Sequence, residues 1–407
     1  MRITKSNQEK NEKKNFKEVL QRVKKQVQGI TLIALVVTII VLLILAGVAL
    51  SLTVGDNGLF KRAENAAATW QMAEQNEHSE MDKAGDFIEI YQRGVNTATT
   101  VKDAIDQDGF YLENTKIKDD LDNEVVIPAY FKLASDSATK VEDGIVIEDL
   151  EGNQFVWIPA KTEDKGGATI KLSAEGTATI IYQRIDWGMQ TGSYSDYLEE
   201  LPDDEKASIN KYGGYYIGRY EAGDKESTVE KIMRNENSSE TNTITIKKGQ
   251  VPYNWITYKN AKILAEGMNE KQGYATTFTK LISSYAWDVA INFIQVKNDN
   301  YGTEPEVGNY RDIEFSYEDL NGDVQTKVYW TNPLLVPTGQ TSEVSKIYDM
   351  GGNLYEYTSE RNLSNEFPYV VRGGHYGCAS YEVPTVNRSN ALNKLSYYGF
   401  RVTMYIK

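Results

Sequence analysis

Between Ile30 and Val54 the chain runs 25 residues without a charge or a proline, and that stretch limits what can be built around it. At about 1.5 Å per residue a helix of that length reaches roughly 37 Å, enough to cross a hydrocarbon core with some tilt. The sequence therefore predicts a membrane helix over 30–54. Residues 1–29 hold nine Lys or Arg against three Glu, with Lys24 and Lys25 close to the apolar run. That excess of positive charge predicts a cytoplasmic N-terminus in a cell membrane and an outward-facing remainder.

The residues at the junction carry a resemblance. A basic leader ending in Gly29, then Ile30-Thr31-Leu32-Ile33 opening an unbroken apolar helix, resembles the N-terminus of type IV pilins and pseudopilins. The resemblance implies cleavage between Gly29 and Ile30, methylation of the new terminus, a bacterial membrane or pilus-like filament, and other pilin-like subunits as partners. One departure is Ala34, where the family usually places a glutamate; this points to a tip or initiating subunit rather than a shaft subunit. An ordinary single-pass anchor is the alternative.

Charge narrows the partners. Residues 30–407 carry 35 Lys or Arg against 55 Asp or Glu, a net of −20, which argues against nucleic acid or anionic lipid as the ligand of the outward part. Cys378 is the single cysteine, so no internal disulfide can staple the fold. The 27 tyrosines and six tryptophans suit half-buried strands and an aromatic face for ligand contact.

Along the chain, Asp56-Asn57-Gly58 is a turn signal, and residues 55–94 read as an amphipathic stalk helix with Phe60, Ala63, Ala67 and Trp70 on one face. Residues 95–150 read as a small acidic connector with short strands. From 151 to 407 the texture is short strands between Gly and Asn turns, with two helices. Thr257 caps the first, over Tyr258 to Met268, and Ser284 caps the second, through Phe293. Asn321-Gly322 turns a hairpin whose arms hold Ile313, Phe315 and Tyr317 on one side and Val324, Thr326, Val328 and Trp330 on the other. The expected fold class is α+β: a long N-terminal membrane or spine helix followed by a mixed α/β domain.

An ordered series sets the expectation for that domain. The segments 155–160, 215–223, 252–268, 281–288, Tyr348 to Glu360, Val370 to Cys378 and Gly399 to Val402 follow one another. Together they resemble the formylglycine-generating enzyme, or sulfatase-modifying factor, family, a branch of the C-type lectin fold. In Gly352-Asn353-Leu354-Tyr355-Glu356 the turn offers an amide oxygen, carbonyls and a carboxylate, a hard-oxygen set suited to calcium at Asn353 and Glu356. The plainer alternative is a capped turn with Glu356 solvated or paired to Arg. Phe400 and Val402 read as core positions, with Arg401 on the opposite face.

The resembled family oxidises its substrate with a copper-binding pair of cysteines five residues apart. Cys378 stands at the first position and Val383 at the second. A soft metal such as Cu(I) needs paired thiolates, so no copper and no enzyme activity are expected. Two histidines, His78 and His375, are too few for a histidine metal cluster. Lectin-like folds of this kind also display variable ligand surfaces in targets of diversity-generating retroelements, between the Arg-Gly-Gly and Gly-Phe-Arg segments. That window holds His375, Tyr376, Cys378, Tyr381, Asn387, Asn390, Tyr397 and Tyr398, flat aromatics and short polar groups suited to binding. The expected function is a surface-displayed, non-catalytic domain recognising an extracellular glycan or protein. A sulfatase-modifying-type enzyme using Cys378 and a purely structural minor pseudopilin are the alternatives.

Overall fold

The computed structural model describes residues 85–407 apart from 191, 227–242, 305–306, 331–332, 342 and 365, together with short helical pieces at 17–18, 21, 35–43, 45 and 61. The chain divides into two units, Met1–Met81 and Asp82–Lys407. The first unit corrects the expected fold class and localisation. Residues 35–43 and 45 are the described residues of the apolar run, and they are helical. No helix among the described residues is long and apolar enough to cross a membrane, so the long spine helix, the transmembrane assignment and the membrane placement do not stand. Gly29, Ile30 and the residues of 30–54 other than 35–43 and 45 lie outside the described residues, as does most of the expected stalk; residues 85–93 are helical, with Ile90 buried and Phe87, Ile88 and Tyr91 exposed.

The second unit is a mixed α+β fold. Its main helices are α1 (Val101–Gln107), α2 (Asp203–Tyr212), α3 (Tyr258–Lys271) and α4 (Ser284–Gln295). The strands used below are β1 (Lys132–Leu133), β2 (Val146–Glu148), β3 (Gln154–Pro159), β4 (Gly214–Gly218), β5 (Thr277–Leu281), β6 (Phe315–Glu318), β7 (Val324–Lys327), β8 (Tyr355–Asn362), β9 (Tyr369–Arg372), β10 (Arg388–Ala391), β11 (Tyr398–Phe400) and β12 (Val402–Ile406).

A six-stranded antiparallel sheet runs in the order β5-β12-β4-β3-β2-β1. Its central strands β4 and β12 are buried along their whole length, which is why their sequences are near-continuous apolar runs. A second sheet runs β10-β9-β8-β11, with β8 and β11 parallel and the other pairs antiparallel. Helix α4, with Trp287, Val289, Ala290, Ile291, Phe293 and Ile294 all buried, packs against both β3 and β8 and so joins the two sheets.

Local signals explain the helices. Thr257 accepts from the backbone N–H of Asn260 at 3.3 Å and caps α3, whose buried face is Ala261, Leu264, Ala265 and Met268 at helical spacing. The cap of α4 is Ser283, one residue before the expected Ser284, and accepts from Ala286 at 3.1 Å. Ser284 is buried and its hydroxyl is used elsewhere. The hairpin forms as the Asn321-Gly322 turn predicts, with Phe315 opposite Lys327 and Glu318 opposite Val324.

Candidate functional site

The β8–β11 sheet has two unlike faces because side chains alternate along each strand. On one face Glu356, Thr358 and Glu360 of β8 point the same way as Arg372 of β9 and Arg388 of β10. All are fully buried beneath α4. Asp288 of α4 accepts from Arg372 Nη2 at 2.6 Å through one oxygen and from Arg388 Nη2 at 2.5 Å through the other. Trp187 Nε1 and the Ile185 N–H complete its shell. Glu360 in turn accepts from Arg388 Nε at 2.9 Å, Ser284 Oγ at 2.6 Å and Arg184 Nη1 at 2.5 Å. Each buried charge is thus paired and hydrogen-bonded, the condition under which burial is tolerated.

The opposite face is aromatic. His375 stacks on Tyr397 at 4.4 Å between ring centres, and Tyr397 meets Tyr398 edge-on at 4.9 Å. The row continues through Tyr357 (5.3 Å) and Tyr369 (6.3 Å) to Tyr258 at the start of α3, stacked on Tyr369 at 4.4 Å. The exposed Arg361 lies over the last two rings, 4.6 Å from Tyr369 and 5.4 Å from Tyr258. Tyr355 sits beside the row, 5.0 Å from His375, and its hydroxyl lies 3.2 Å from Ser389 Oγ. Ser389 donates to Asn387 Oδ1 at 2.9 Å, so hydroxyls and an amide run alongside the rings.

His375 and Cys378 are close in sequence but are not arranged as a base and a nucleophile. His375 Nδ1 accepts from the Gly377 N–H at 3.1 Å, which leaves the ring proton on Nε2. Burial pushes the imidazole down to about 4, so it is neutral at pH 7. Burial also pushes the Cys378 thiol up to about 11, and the hydrogen bond it shares with Tyr355 offsets this only in part. At neutral pH the sulfur is a thiol, and a thiol is a poor nucleophile and metal ligand.

Asn353 and Glu356 are both fully buried, and their donor atoms face protein. Glu356 accepts from Arg401 Nη2 at 2.6 Å and from Nε at 3.0 Å, one bond per oxygen. The Asn353 Oδ1 accepts from Asn309 Nδ2 at 2.9 Å and from the Val336 N–H at 3.1 Å, while its Nδ2 donates to Glu221 and Val336. As folded, calcium at Asn353 and Glu356 would have to displace these partners. The turn has a structural task instead. A Cβ on Gly352, at φ +72, would lie 2.5 Å from the backbone of Asn309, and the Gly352 N–H donates to Gly373 O at 2.7 Å. The two glycine segments are therefore packed backbone to backbone. Asn353 O accepts from the Tyr376 N–H at 3.0 Å, which ties the turn to the aromatic face.

Of the sequence-predicted binding residues, His375, Cys378, Asn387, Tyr397 and Tyr398 gather around Tyr355, and Tyr376 joins them through His375 at 5.6 Å. Tyr381 stands apart, 71% exposed on the following loop. Asn390 lies on the charged face by register, and its Oδ1 is buried without a hydrogen-bond partner among the described residues. Sequence reasoning missed Tyr355, Tyr357, Tyr369, Ser389, Tyr258 and Arg361. A signal for the first two was present: Tyr355 and Tyr357 alternate with Glu356, Thr358 and Glu360, which marks a strand with one aromatic and one polar face.

No family model matches the chain and no curated protein matches it, so the pilin, sulfatase-modifying and lectin expectations gain no family support. Two solved structures are similar in part. One, described as the crystal structure of CarF, shares 20% identity over 32% of this chain and 48% of that one, with a TM-score of 0.22. The match therefore spans about half of CarF's length. The other, Treponema denticola variable protein 1, shares 12% identity over 63% of this chain and 97% of that one, with a TM-score of 0.29. Likenesses at this level carry no argument about fold or function.

Proposed function

We propose that residues 82–407 form a non-catalytic recognition module that binds a glycan or protein across the aromatic face of the β8–β11 sheet. One observation carries this reading. The half-covered rings of His375, Tyr397, Tyr369 and Tyr258, joined through the buried Tyr398 and Tyr357 and flanked by the Tyr355, Ser389 and Asn387 hydroxyls and amide, lie along a sheet that the Asp288, Arg372, Arg388 and Glu360 network holds from behind. Rigid aromatics with short polar neighbours supply contact area at low entropic cost. The protonated Cys378 and the occupied Nδ1 of His375 favour binding over thiol chemistry. The ordered motifs that resemble the sulfatase-modifying factor family support a shared scaffold without its cysteine pair.

The test is binding of the full chain to glycan and protein arrays, followed by titration of the best hits. Replacing His375 and Tyr397 together by Ala is expected to weaken binding by about tenfold or more, as for interface anchors. Native affinity in that variant, or copper-dependent oxidation of a cysteine peptide by the purified protein, would overturn the reading.

A further inference from the structure

The β6–β7 hairpin turns Phe315 and Tyr317 inward, but its second strand departs from that pattern. By register Phe315, Tyr317, Gln325 and Lys327 share one face, and Ser316, Glu318, Val324 and Thr326 share the other. Lys327 is 2% exposed, its ammonium donating to the carbonyls of Tyr310 and Ile313, while Val324 is 76% exposed. Next along the chain, Val328, Tyr329 and Trp330 are also exposed large side chains. A strand that buries its lysine and presents Val324 breaks the binary pattern, and such breaks without a packing gain mark functional surface.

Two further observations point to the same place. Trp330 has φ +56, a backbone conformation unfavourable for a bulky residue, and it holds the ring outward over Arg311, whose guanidinium carbon is 4.6 Å away. Among the described residues β7 pairs with β6 alone, so its outer edge has no strand partner. Natural edges of this kind are commonly blunted by lysine or proline, and this one exposes Val324, Gln325 and Thr326 instead. The hairpin is also acidic: Glu314, Glu318 and Asp323 are exposed, and none makes an ion pair among the described residues.

The root of the hairpin is bonded to the candidate site. The Arg311 N–H donates to Cys378 O at 2.8 Å, and Ser380 donates through its N–H and hydroxyl to the Asp312 carboxylate at 2.8 and 2.9 Å. We infer that the β6–β7 hairpin is a second arm of the recognition surface, and that it takes an extended segment of a partner protein, apolar at its centre and basic at its ends. That segment adds as a strand along β7, its apolar side chains against Val324, Val328 and the Tyr329–Trp330 pair, its basic ends opposite Asp323 and Glu314. The negative charge of the arm disfavours a second copy of this chain in the same position. The inference rests on the recognition reading and names its partner as protein.

The probe is a fluorescein-labelled peptide, Lys-Lys-Val-Thr-Val-Thr-Val-Lys-Lys, titrated with the full chain by fluorescence anisotropy. Saturable binding is expected, at least about tenfold tighter than for the same peptide with Glu in place of Lys, or with proline as its central residue. Trp330→Ala is expected to weaken it about tenfold. Val324→Lys, at an exposed position that cannot disturb the core, is expected to do the same. Peptide binding that persists while the array hits of the aromatic face fail to bind, or the reverse, separates failure of this arm from failure of the aromatic face. Equal binding of the three peptides, or native affinity in both hairpin variants, would overturn the inference.

Discussion

The two faces of the β8–β11 sheet are made from the same four strands by alternation, yet they are held in opposite ways. On the α4 side, two arginines and two carboxylates are fully buried and every charge has a partner from a distant part of the chain. On the other side, His375, Tyr397, Tyr369 and Tyr258 are only half covered and meet one another ring to ring. Charged groups in a dry site tolerate little displacement, because losing one partner leaves an uncompensated ion. Rings that contact each other through their faces tolerate more. The comparison teaches that a sheet can be fixed from behind by paired charges while its front is held only by ring contacts.

The largest expected effect lies on the charged face. Asp288→Ala leaves Arg372 and Arg388 facing one another without their shared carboxylate, and is expected to cost about 3–5 kcal/mol in urea unfolding. A cost below about 1 kcal/mol would show that the charged face does not hold the strands, and the comparison would break. On the aromatic face Tyr397→Ala removes the stacked partner of His375 and an edge contact to Tyr398. Its stability cost is expected to be about 1 kcal/mol, read from the same urea curves.

A third effect sharpens the charged side through pH. Glu199 reaches the edge of the charged network, accepting from the Ser284 N–H at 2.9 Å and from the Ser359 hydroxyl; burial, with Glu360 beside it, pushes it up to about 8 from its usual 4.5, while the Ser359 hydroxyl works the other way. Because the folded value is the higher one, the favourable contribution is full below about pH 4.5 and is lost as pH rises through 8. Glu199→Gln should therefore gain melting temperature relative to the native chain as pH goes from 5 to 9. A difference that stays flat over that range would remove Glu199 from the account. The smallest effect is on the hairpin, where Val324→Lys should shift stability by no more than about 0.5 kcal/mol in either direction. A larger loss would show that Val324 packs against something in the fold rather than awaiting a partner.

Much of this was legible in the residues where the cause is local. Thr257 announces the start of α3 because a threonine hydroxyl can take an orphan N–H of the first turn, and Asn321-Gly322 announces a hairpin because both residues tolerate turn geometry. The tyrosines and asparagines between Arg372 and Gly399 were legible as a cluster of flat aromatics and short polar groups. Its sidedness was not. Asn390 faces away from the site and Ser389 toward it, a difference of one residue that register alone decides. Glu356 read as a calcium ligand or, more plainly, as a turn carboxylate solvated or paired to arginine; in the fold Arg401, 45 residues away, takes both its oxygens. The apolar run at 30–54 read as a spanning helix from length and composition, and the described helix there covers nine residues.

Composition and order determined on their own that this chain carries one thiol without a partner cysteine, an acidic domain, and a tyrosine-rich segment before its last strand. These are properties of the residues and need no neighbours. Only the tertiary structure decided that Asp288 would gather two arginines 84 and 100 residues downstream, that Lys327 would turn inward and Val324 outward, and that His375 would be a neutral stacking ring. Each of those outcomes depends on which segments exclude water from one another. Burial sets the cost of a charge and the worth of a hydrogen bond, and it is a property of the assembled sheets and α4 rather than of any stretch of sequence.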